Sequence, residues 1–100
     1  MKRTIVAAAL LALAWGAAAQ DAPPSAQRLA APCAICHGTG GHPVTKEVTQ
    51  LAGMPRDQIA AQMRAFRDGQ RPATVMHQLA KGYSDAQIDA LAAWFSAQKR

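Results

Sequence analysis

The sequence predicts an all-α fold with about four helices, and three observations support this prediction. No stretch of the chain alternates apolar and polar residues with a period of two, as half-buried strands do. Two segments, 55–69 and 84–95, instead carry apolar residues at helical spacing. Capping residues and glycines flank these segments, and a length of 100 residues allows a single domain.

The start of the chain has the order of a secretory signal. Residues 1–3 are basic at two positions, Thr4 to Ala14 form an apolar run, and Ala17 to Ala19 offer small residues for cleavage. We therefore expect a signal peptide at residues 1–19 and a mature, periplasmic domain at residues 20–100. The apolar run is shorter than the ~20 residues of a spanning helix, so no membrane span is expected after cleavage.

The first half of the mature domain predicts one short helix and a long loop. Ser25 can cap a helix that runs to about Ala31. Pro32 then limits regular helix directly before a pair of cysteines. Residues 38–53 are rich in Gly, Thr and Pro and predict a loop, with one helical turn near Lys46.

A clear helix is predicted after this loop. Pro55 suits its first turn, and Gly69 suits its end as a left-handed cap. Ile59, Met63 and Phe66 fall on one apolar stripe. Met63 is therefore expected to be a core residue.

Two further helices are predicted near the C-terminus. Residues 73–81 form a short helical segment that Gly82 stops. Ser84 and Gln87 then have the spacing of a capping box, which starts the last helix. One face of that helix is apolar and consists of Ile88, Leu91, Ala92 and Phe95.

The run from Cys33 to His37 reads Cys-Ala-Ile-Cys-His, the attachment signature of haem c. Two thiols three positions apart on a helical turn can each add to one haem vinyl group and form a thioether. The histidine that follows then lies under the iron and supplies its proximal nitrogen. Gly38 comes next, and the lack of a side chain lets the backbone turn closely past the ring.

Other uses of these residues fit the sequence less well. A structural zinc site needs four N or S ligands, and the chain has no second cysteine pair. A thioredoxin-like dithiol belongs at a strand–helix junction, and no strand is predicted. The net charge of +5 includes Lys2 and Arg3 of the signal, and the five aromatic residues are not interleaved with basic ones. Nucleic-acid binding is therefore not expected.

A low-spin electron carrier needs a second axial ligand to the iron. Met76 is preferred because it follows His37 after one full predicted helix, which lets the chain return on the opposite haem face. His77, expected to face solvent, and Met54, expected in a loop, stay open as alternatives, as does an open site. His42 is too close to His37 in sequence to cross the haem plane. The candidates weighed are Met54, Met63, Met76, His42 and His77.

From Pro32 to Gln98 the chain resembles a class I c-type cytochrome, and most of all the haem domain of the cytochrome subunit of flavocytochrome c sulfide dehydrogenase. The resemblance rests on the attachment run and on three later runs: Phe66-Arg-Asp-Gly69, Ala73-Thr-Val-Met76 and Ala80-Lys-Gly-Tyr-Ser84.

The resemblance implies a small class I cytochrome c fold around one covalent haem, with Met76 as the distal ligand. It also implies that the attachment helix packs on the C-terminal helix, through Leu29 and the apolar face of the latter. The family commonly uses a proline carbonyl to accept the proximal histidine proton. Thr49 stands at about that place here, so the identity of the acceptor stays open.

The function expected from these observations is that of a periplasmic monohaem electron carrier, not an enzyme. Its expected partners are redox proteins, above all the FAD-containing subunit of a sulfide dehydrogenase, as the resemblance implies. The alternatives are a free-standing shuttle to a terminal oxidase or reductase and, more remotely, a haem sensor or peroxidase with an open distal site. Tyr83, Trp94 and Arg71 are expected to be ordinary core or surface residues, with propionate binding or a docking face as their alternative roles.

Overall fold

The computed structural model describes residues 25–100, and this part of the chain is helical without any strand. The predicted signal at 1–19 and the residues up to Pro24 lie outside the described residues. The elements in chain order are α1 (Ala26–Ala30), a 3-10 turn (Ala31–Cys33), α2 (Ala34–His37), a second 3-10 turn (Thr39–Gly41), α3 (Arg56–Arg67), α4 (Met76–Ala80) and α5 (Asp85–Ser96). Since α1, the first turn and α2 are continuous, the described chain has four helical units, which confirms the predicted all-α class.

The first helical unit has the predicted cap and the predicted interruption. The hydroxyl of Ser25 accepts a hydrogen bond from the N–H of Arg28 at 3.3 Å. Pro32 has no N–H to continue the α-helical ladder, and the Ala31 N–H bonds to the Arg28 carbonyl instead. The chain therefore tightens into the 3-10 turn that ends at Cys33.

The long loop is closed by backbone hydrogen bonds at its base. The carbonyl of Gly41 accepts from Leu51 N at 3.0 Å and from Ala52 N at 3.2 Å. Gly53 N donates to the carbonyl of Phe95 at 3.0 Å, which fixes this base to α5. We call the enclosed residues the 42–50 loop. The predicted helical turn near Lys46 is wrong in detail, because the chain forms only a turn there and the 3-10 turn lies earlier, at Thr39–Gly41.

Helix α3 ends where the sequence predicts. Gly69 N donates to Phe66 O at 3.2 Å and Gln70 N donates to Ala65 O at 2.9 Å, the bond pattern of a Schellman cap. At its start, Pro55 occupies the N-cap position rather than the first turn. Of the predicted stripe, Ile59 is buried while Met63 packs against the core from its edge.

Of the last two helices, only α5 begins at the residue that the sequence predicts. The predicted helix 73–81 is too long, because α4 starts only at Met76, after the β-branched pair of Thr74 and Val75. Helix α5 has the complete predicted capping box. Ser84 Oγ accepts from Gln87 N at 3.2 Å, and Ser84 N donates to Gln87 Oε1 at 2.9 Å.

The core lies between α5 and the two helices that pack on it, α1 and α3. The predicted apolar face of α5 is buried in full, and Leu29 packs against it. The implied contact between the attachment helix and the C-terminal helix is thus confirmed. The core is small and rich in alanine, with these buried residues: Ala30, Ala52, Ile59, Ala60, Ala80, Ile88, Leu91, Ala92 and Phe95. None of the helices between residues 25 and 100 has the length and apolar character that crossing a bilayer requires.

An ionic network joins α3 to the start of α5 at the surface. Arg67 Nη1 lies 2.7 Å from Asp85 Oδ1, and Arg64 Nη2 lies 2.7 Å from Asp89 Oδ1. Arg64 Nε also reaches Asp85 Oδ1 at 3.3 Å. The arginines hold the pKa of Asp85 below its usual value, Arg67 more strongly than Arg64.

Candidate functional site

The two cysteines lie three positions apart on the continuous helical stretch, so that they point to nearly the same side. Cys33 ends the first 3-10 turn and is half-buried against the core, whereas Cys36 lies in α2 and is exposed. Both are free thiols. The pair therefore has one anchored and one accessible sulfur.

The Cys33 thiol lies beside the Tyr83 hydroxyl. Burial raises the pKa of the Cys33 thiol, while hydrogen bonding to its own backbone and to Tyr83 offsets part of this rise. Burial also raises the pKa of Tyr83, and the neighbouring Cys33 raises it further.

His37 is the last residue of α2, and its ring is fixed by one hydrogen bond. The Nδ1 atom lies 2.7 Å from the carbonyl oxygen of Thr49. A carbonyl only accepts, so Nδ1 must carry the proton. The free lone pair is then on Nε2, which is the atom a proximal histidine offers to iron. The acceptor that the sequence left open is thus the Thr49 carbonyl.

Thr49 reaches His37 because the 42–50 loop is closed at its base by the Gly41 carbonyl. The chain also folds tightly between His37 and this base. Gly38 has a φ of +81°, and a Cβ atom there would lie 1.8 Å from the carbonyl oxygen of His42. A side chain at Gly38 is therefore excluded by the neighbouring backbone of His42, and the close passage of the haem at Gly38 stays a prediction.

The structure separates the methionines by their packing. Met54 and Met63 both pack against the buried core cluster. Met76 is half-buried at the first position of α4 and does not belong to that packed set. Met76 is thus the one methionine of the described residues that does not pack against the core cluster.

The two histidines outside the attachment run have different surroundings. His42 is exposed at the start of the 42–50 loop. His77 follows Met76 in α4 and was expected to face solvent, which is wrong: it is half-buried, and its Nδ1 atom is shielded without a hydrogen-bond partner. His77 lies on α4, which packs on α3, and a local sequence pattern does not contain this tertiary contact.

The residues present suit haem c in their donor set and in their apolar surface. His37 offers Nε2, the two thiols precede it at the required spacing, and Met76 offers a sulfur. Ile35 is 86% exposed between the cysteines, and Leu79 is 54% exposed on α4. Apolar side chains such as these can contact the apolar faces of a macrocycle.

Between residues 25 and 100, no three side chains of His, Cys, Asp or Glu converge as a metal-binding group. A structural zinc site needs four N or S ligands in a tetrahedron, and the described side chains do not form one.

Tyr83, Trp94 and Arg71 each have a partner within the protein. The Tyr83 hydroxyl donates to the Leu29 carbonyl at 3.2 Å. The Trp94 ring meets that of Phe95 edge-on, with centroids 5.0 Å apart. Arg71 stacks 4.7 Å from the centre of the Phe66 ring and donates to Gln62.

Comparison with known proteins identifies the family. A cytochrome c-554(548) of Halomonas halodenitrificans is 36% identical over 67% of this chain and 84% of its own length. The chain belongs to the class I c-type cytochromes. This is a family of electron-transfer proteins rather than enzymes, and its cofactor is haem c.

Two further relatives of this cytochrome are named for sulfur metabolism. A "thiosulfate dehydrogenase electron acceptor" of Thiomonas intermedia is 43% identical over 99% of this chain and 45% of its own length. A "cytochrome subunit of sulfide dehydrogenase" of Chlorobaculum tepidum is 35% identical over 63% of this chain and 56% of its own length. The cytochrome spans about half the length of these two relatives. No protein-family model matches the chain.

Proposed function

We propose that this cytochrome is an exported monohaem electron carrier whose single haem c is attached through Cys33 and Cys36. Its iron is bound by His37 on the proximal side and by Met76 on the distal side. The observation that carries this proposal is the hydrogen bond from His37 Nδ1 to Thr49 O at 2.7 Å. It fixes the tautomer and the ring orientation that a proximal ligand needs, directly after two thiols at the attachment spacing.

Each protein group has a separate task in this proposal. Haem c, when bound, supplies a one-electron ferric–ferrous couple. The sulfurs of Cys33 and Cys36 fix the position of the macrocycle, one from a half-buried and one from an exposed site. The bond from His37 Nδ1 to the Thr49 carbonyl orients the imidazole and raises its basicity. Met76 contributes a soft, neutral thioether, which favours ferrous iron and raises the potential relative to a second histidine.

We propose a sulfur-oxidising partner for this carrier in the periplasm, reached after cleavage of the signal at residues 1–19. One candidate donor is the FAD-containing subunit of a sulfide dehydrogenase, which the relative from Chlorobaculum supports by its name. The second candidate is a thiosulfate dehydrogenase, and the relative from Thiomonas favours it by its higher identity. Pull-down with each purified dehydrogenase, followed by stopped-flow reduction of the haem, separates the two. A carrier reduced by neither, yet oxidised by a terminal oxidase, would be a free-standing shuttle.

The distal assignment is tested by Met76→Ala in protein from a host with haem-maturation machinery. We expect the variant to lose the ferric charge-transfer band of Met–iron ligation and the low-spin spectrum, because the axial thioether is removed. Met63→Leu is the matched control: it removes a sulfur from the core edge at nearly constant volume. We expect its spectrum to be unchanged.

The possible outcomes distinguish the alternatives. An unchanged spectrum of Met76→Ala would contradict Met76 and point to His77 or Met54. A wild-type protein with high-spin iron would instead have an open distal site, as a sensor or peroxidase does. Mass spectrometry of the mature chain tests attachment and signal cleavage together, and a mass without one added haem would refute the proposal as a whole.

A further inference from the structure

Tyr83 occupies the short connection between the helix of the proposed distal ligand and the last helix. Its backbone N–H donates to the carbonyl of Ala80, the final residue of α4, at 3.2 Å. The next residue, Ser84, is the N-cap of α5. The main chain at Tyr83 is therefore tied to both helices, and any displacement of α4 has to move it.

The side chain of Tyr83 crosses to the attachment helix. Its hydroxyl donates to the Leu29 carbonyl at 3.2 Å, over 54 positions in the sequence. The hydroxyl also lies beside the Cys33 thiol, and both side chains pack half-buried against the core cluster. Residues 81–84 connect α4 to α5, and residues 26–37 form the attachment segment. Among the side-chain hydrogen bonds of residues 25–100, the bond from Tyr83 to Leu29 is the one that joins these two parts of the chain.

Helix α4 has little stability of its own and needs such a tie. It has five residues, and Val75 at its N-cap position makes no side-chain capping bond. A helix this short does not persist without tertiary contacts. Its described contacts include the packing on α3 and the connection through Tyr83 to the attachment segment, residues 26–37.

We propose that Tyr83 is a positioning residue that holds the distal-ligand helix α4 in register with the attachment helix. Its hydroxyl keeps the connection after α4 fixed to Leu29 and beside Cys33, so that Met76 stays within reach of the iron. This inference rests on the proposed function for the role of Met76, but the link between α4 and α1 exists independently of it.

The test compares Tyr83→Phe with Ser96→Ala in the haem-loaded protein. Ser96→Ala also removes a hydroxyl that donates to a backbone carbonyl, that of Ala93 at 3.0 Å, but it lies at the end of α5. The loss of one such bond increases the constant for local opening about fivefold. We expect Tyr83→Phe to increase hydrogen exchange of the α4 amides about fivefold, with Ser96→Ala leaving them unchanged.

A second readout follows the Met–iron band in rising guanidinium, together with the helical circular dichroism. In Tyr83→Phe the band should disappear at a lower denaturant concentration than the loss of helix, whereas the two transitions of Ser96→Ala should keep their wild-type separation. A general loss of stability would shift both transitions together, so coincident shifts in Tyr83→Phe, with α4 exchange unchanged relative to α1, would overturn the proposal.

The readouts also separate this inference from the proposed function. If the wild type lacks the Met–iron band, the ligand assignment fails, while exchange at α4 still decides whether Tyr83 holds it. If the Tyr83→Phe protein cannot be produced in folded form, amide hydrogen exchange of the wild-type protein serves as the test of the Tyr83 link. Amides of α4 and α1 that exchange at similar rates support the link, and α4 amides that exchange more than about tenfold faster overturn it.

Discussion

Two adjacent glycines allow a test of how His37, the proposed proximal ligand, is held. Gly40 and Gly41 both have positive φ, +64° and +84°. A Cβ atom at Gly41 would lie 2.7 Å from Ala52 N and 3.0 Å from both Leu51 Cβ and Phe95 Cδ1. A Cβ atom at Gly40 would meet no atom closer than 3.8 Å. The two substitutions by alanine thus share a backbone cost and differ in packing at the base of the 42–50 loop.

The expected magnitudes follow from these distances. A non-glycine residue in the left-handed region costs about 1 kcal/mol, and this is the whole expected loss for Gly40→Ala. Gly41→Ala adds overpacking against backbone and core, which costs about 1–3 kcal/mol more. For a domain of this size, a difference of about 2 kcal/mol corresponds to a difference in Tm of about 10 °C.

The base of the 42–50 loop also positions Thr49, which accepts the hydrogen bond from His37 Nδ1. We therefore expect Gly41→Ala to change the reduction potential as well as the stability. Displacing the Gly41 carbonyl loosens its bonds to Leu51 and Ala52 and therefore the position of Thr49. A weaker bond at His37 Nδ1 makes the imidazole less basic, which disfavours ferric iron and raises the reduction potential. Thermal unfolding and redox titration of the haem-loaded variants measure the two effects. Equal losses of stability in Gly40→Ala and Gly41→Ala would refute the packing argument, and an unchanged potential would refute the link to His37.

Two further predictions concern helix α5. Ser84→Ala should lower the free energy of unfolding by about 1 kcal/mol in a denaturant titration, because it removes the acceptor for Gln87 N. Ser25→Ala should lower the free energy of unfolding by less, because the cap at Ser25 has no reciprocal side-chain bond. A larger loss in Ser25→Ala than in Ser84→Ala would contradict the capping analysis. Asp85→Asn should be less stable than wild type at neutral pH, because the folded pKa of Asp85 is lowered by Arg67 and Arg64. The charge of Asp85 contributes stability above its unfolded pKa and loses it as pH falls through the folded pKa, so the two unfolding midpoints should converge as pH falls below the folded pKa. A constant gap between them at all pH values would show that the ionic network is not its source.

The sequence predicted the helices whose ends are set by local chemistry. Ser84 with Gln87, and Gly69 after α3, act within one turn of the chain, so their patterns can be read from neighbouring residues. The buried face of α5 was predictable for a similar reason, since helical periodicity alone determines which residues share a face. The start of α4 was missed because a short helix without a cap begins where tertiary contacts allow.

The sequence could not determine the surroundings of the site residues. The acceptor for His37 is twelve positions away, and its place depends on loop closure by the Gly41 carbonyl. The Nδ1 atom of His77 is shielded, although its sequence neighbours predict a side chain that faces solvent. The role of Tyr83 depends on a carbonyl 54 positions earlier. Each of these contacts joins distant parts of the chain, and a single sequence has no local pattern that encodes them.

The two sides of the proposed iron site differ in how the protein supports them. His37 ends a helical stretch that is fixed to α5, and its ring is held by a loop closed with two backbone bonds and a third from Gly53 to Phe95. Met76 starts a five-residue helix without a capping bond, which depends on side-chain contacts for its position. Helix α4 is instead placed by its packing on α3 and by the link from Tyr83 to the Leu29 carbonyl. We therefore expect substitutions at these contacts to change ligation at Met76, the proposed distal ligand, whereas substitutions at the base of the 42–50 loop act on His37.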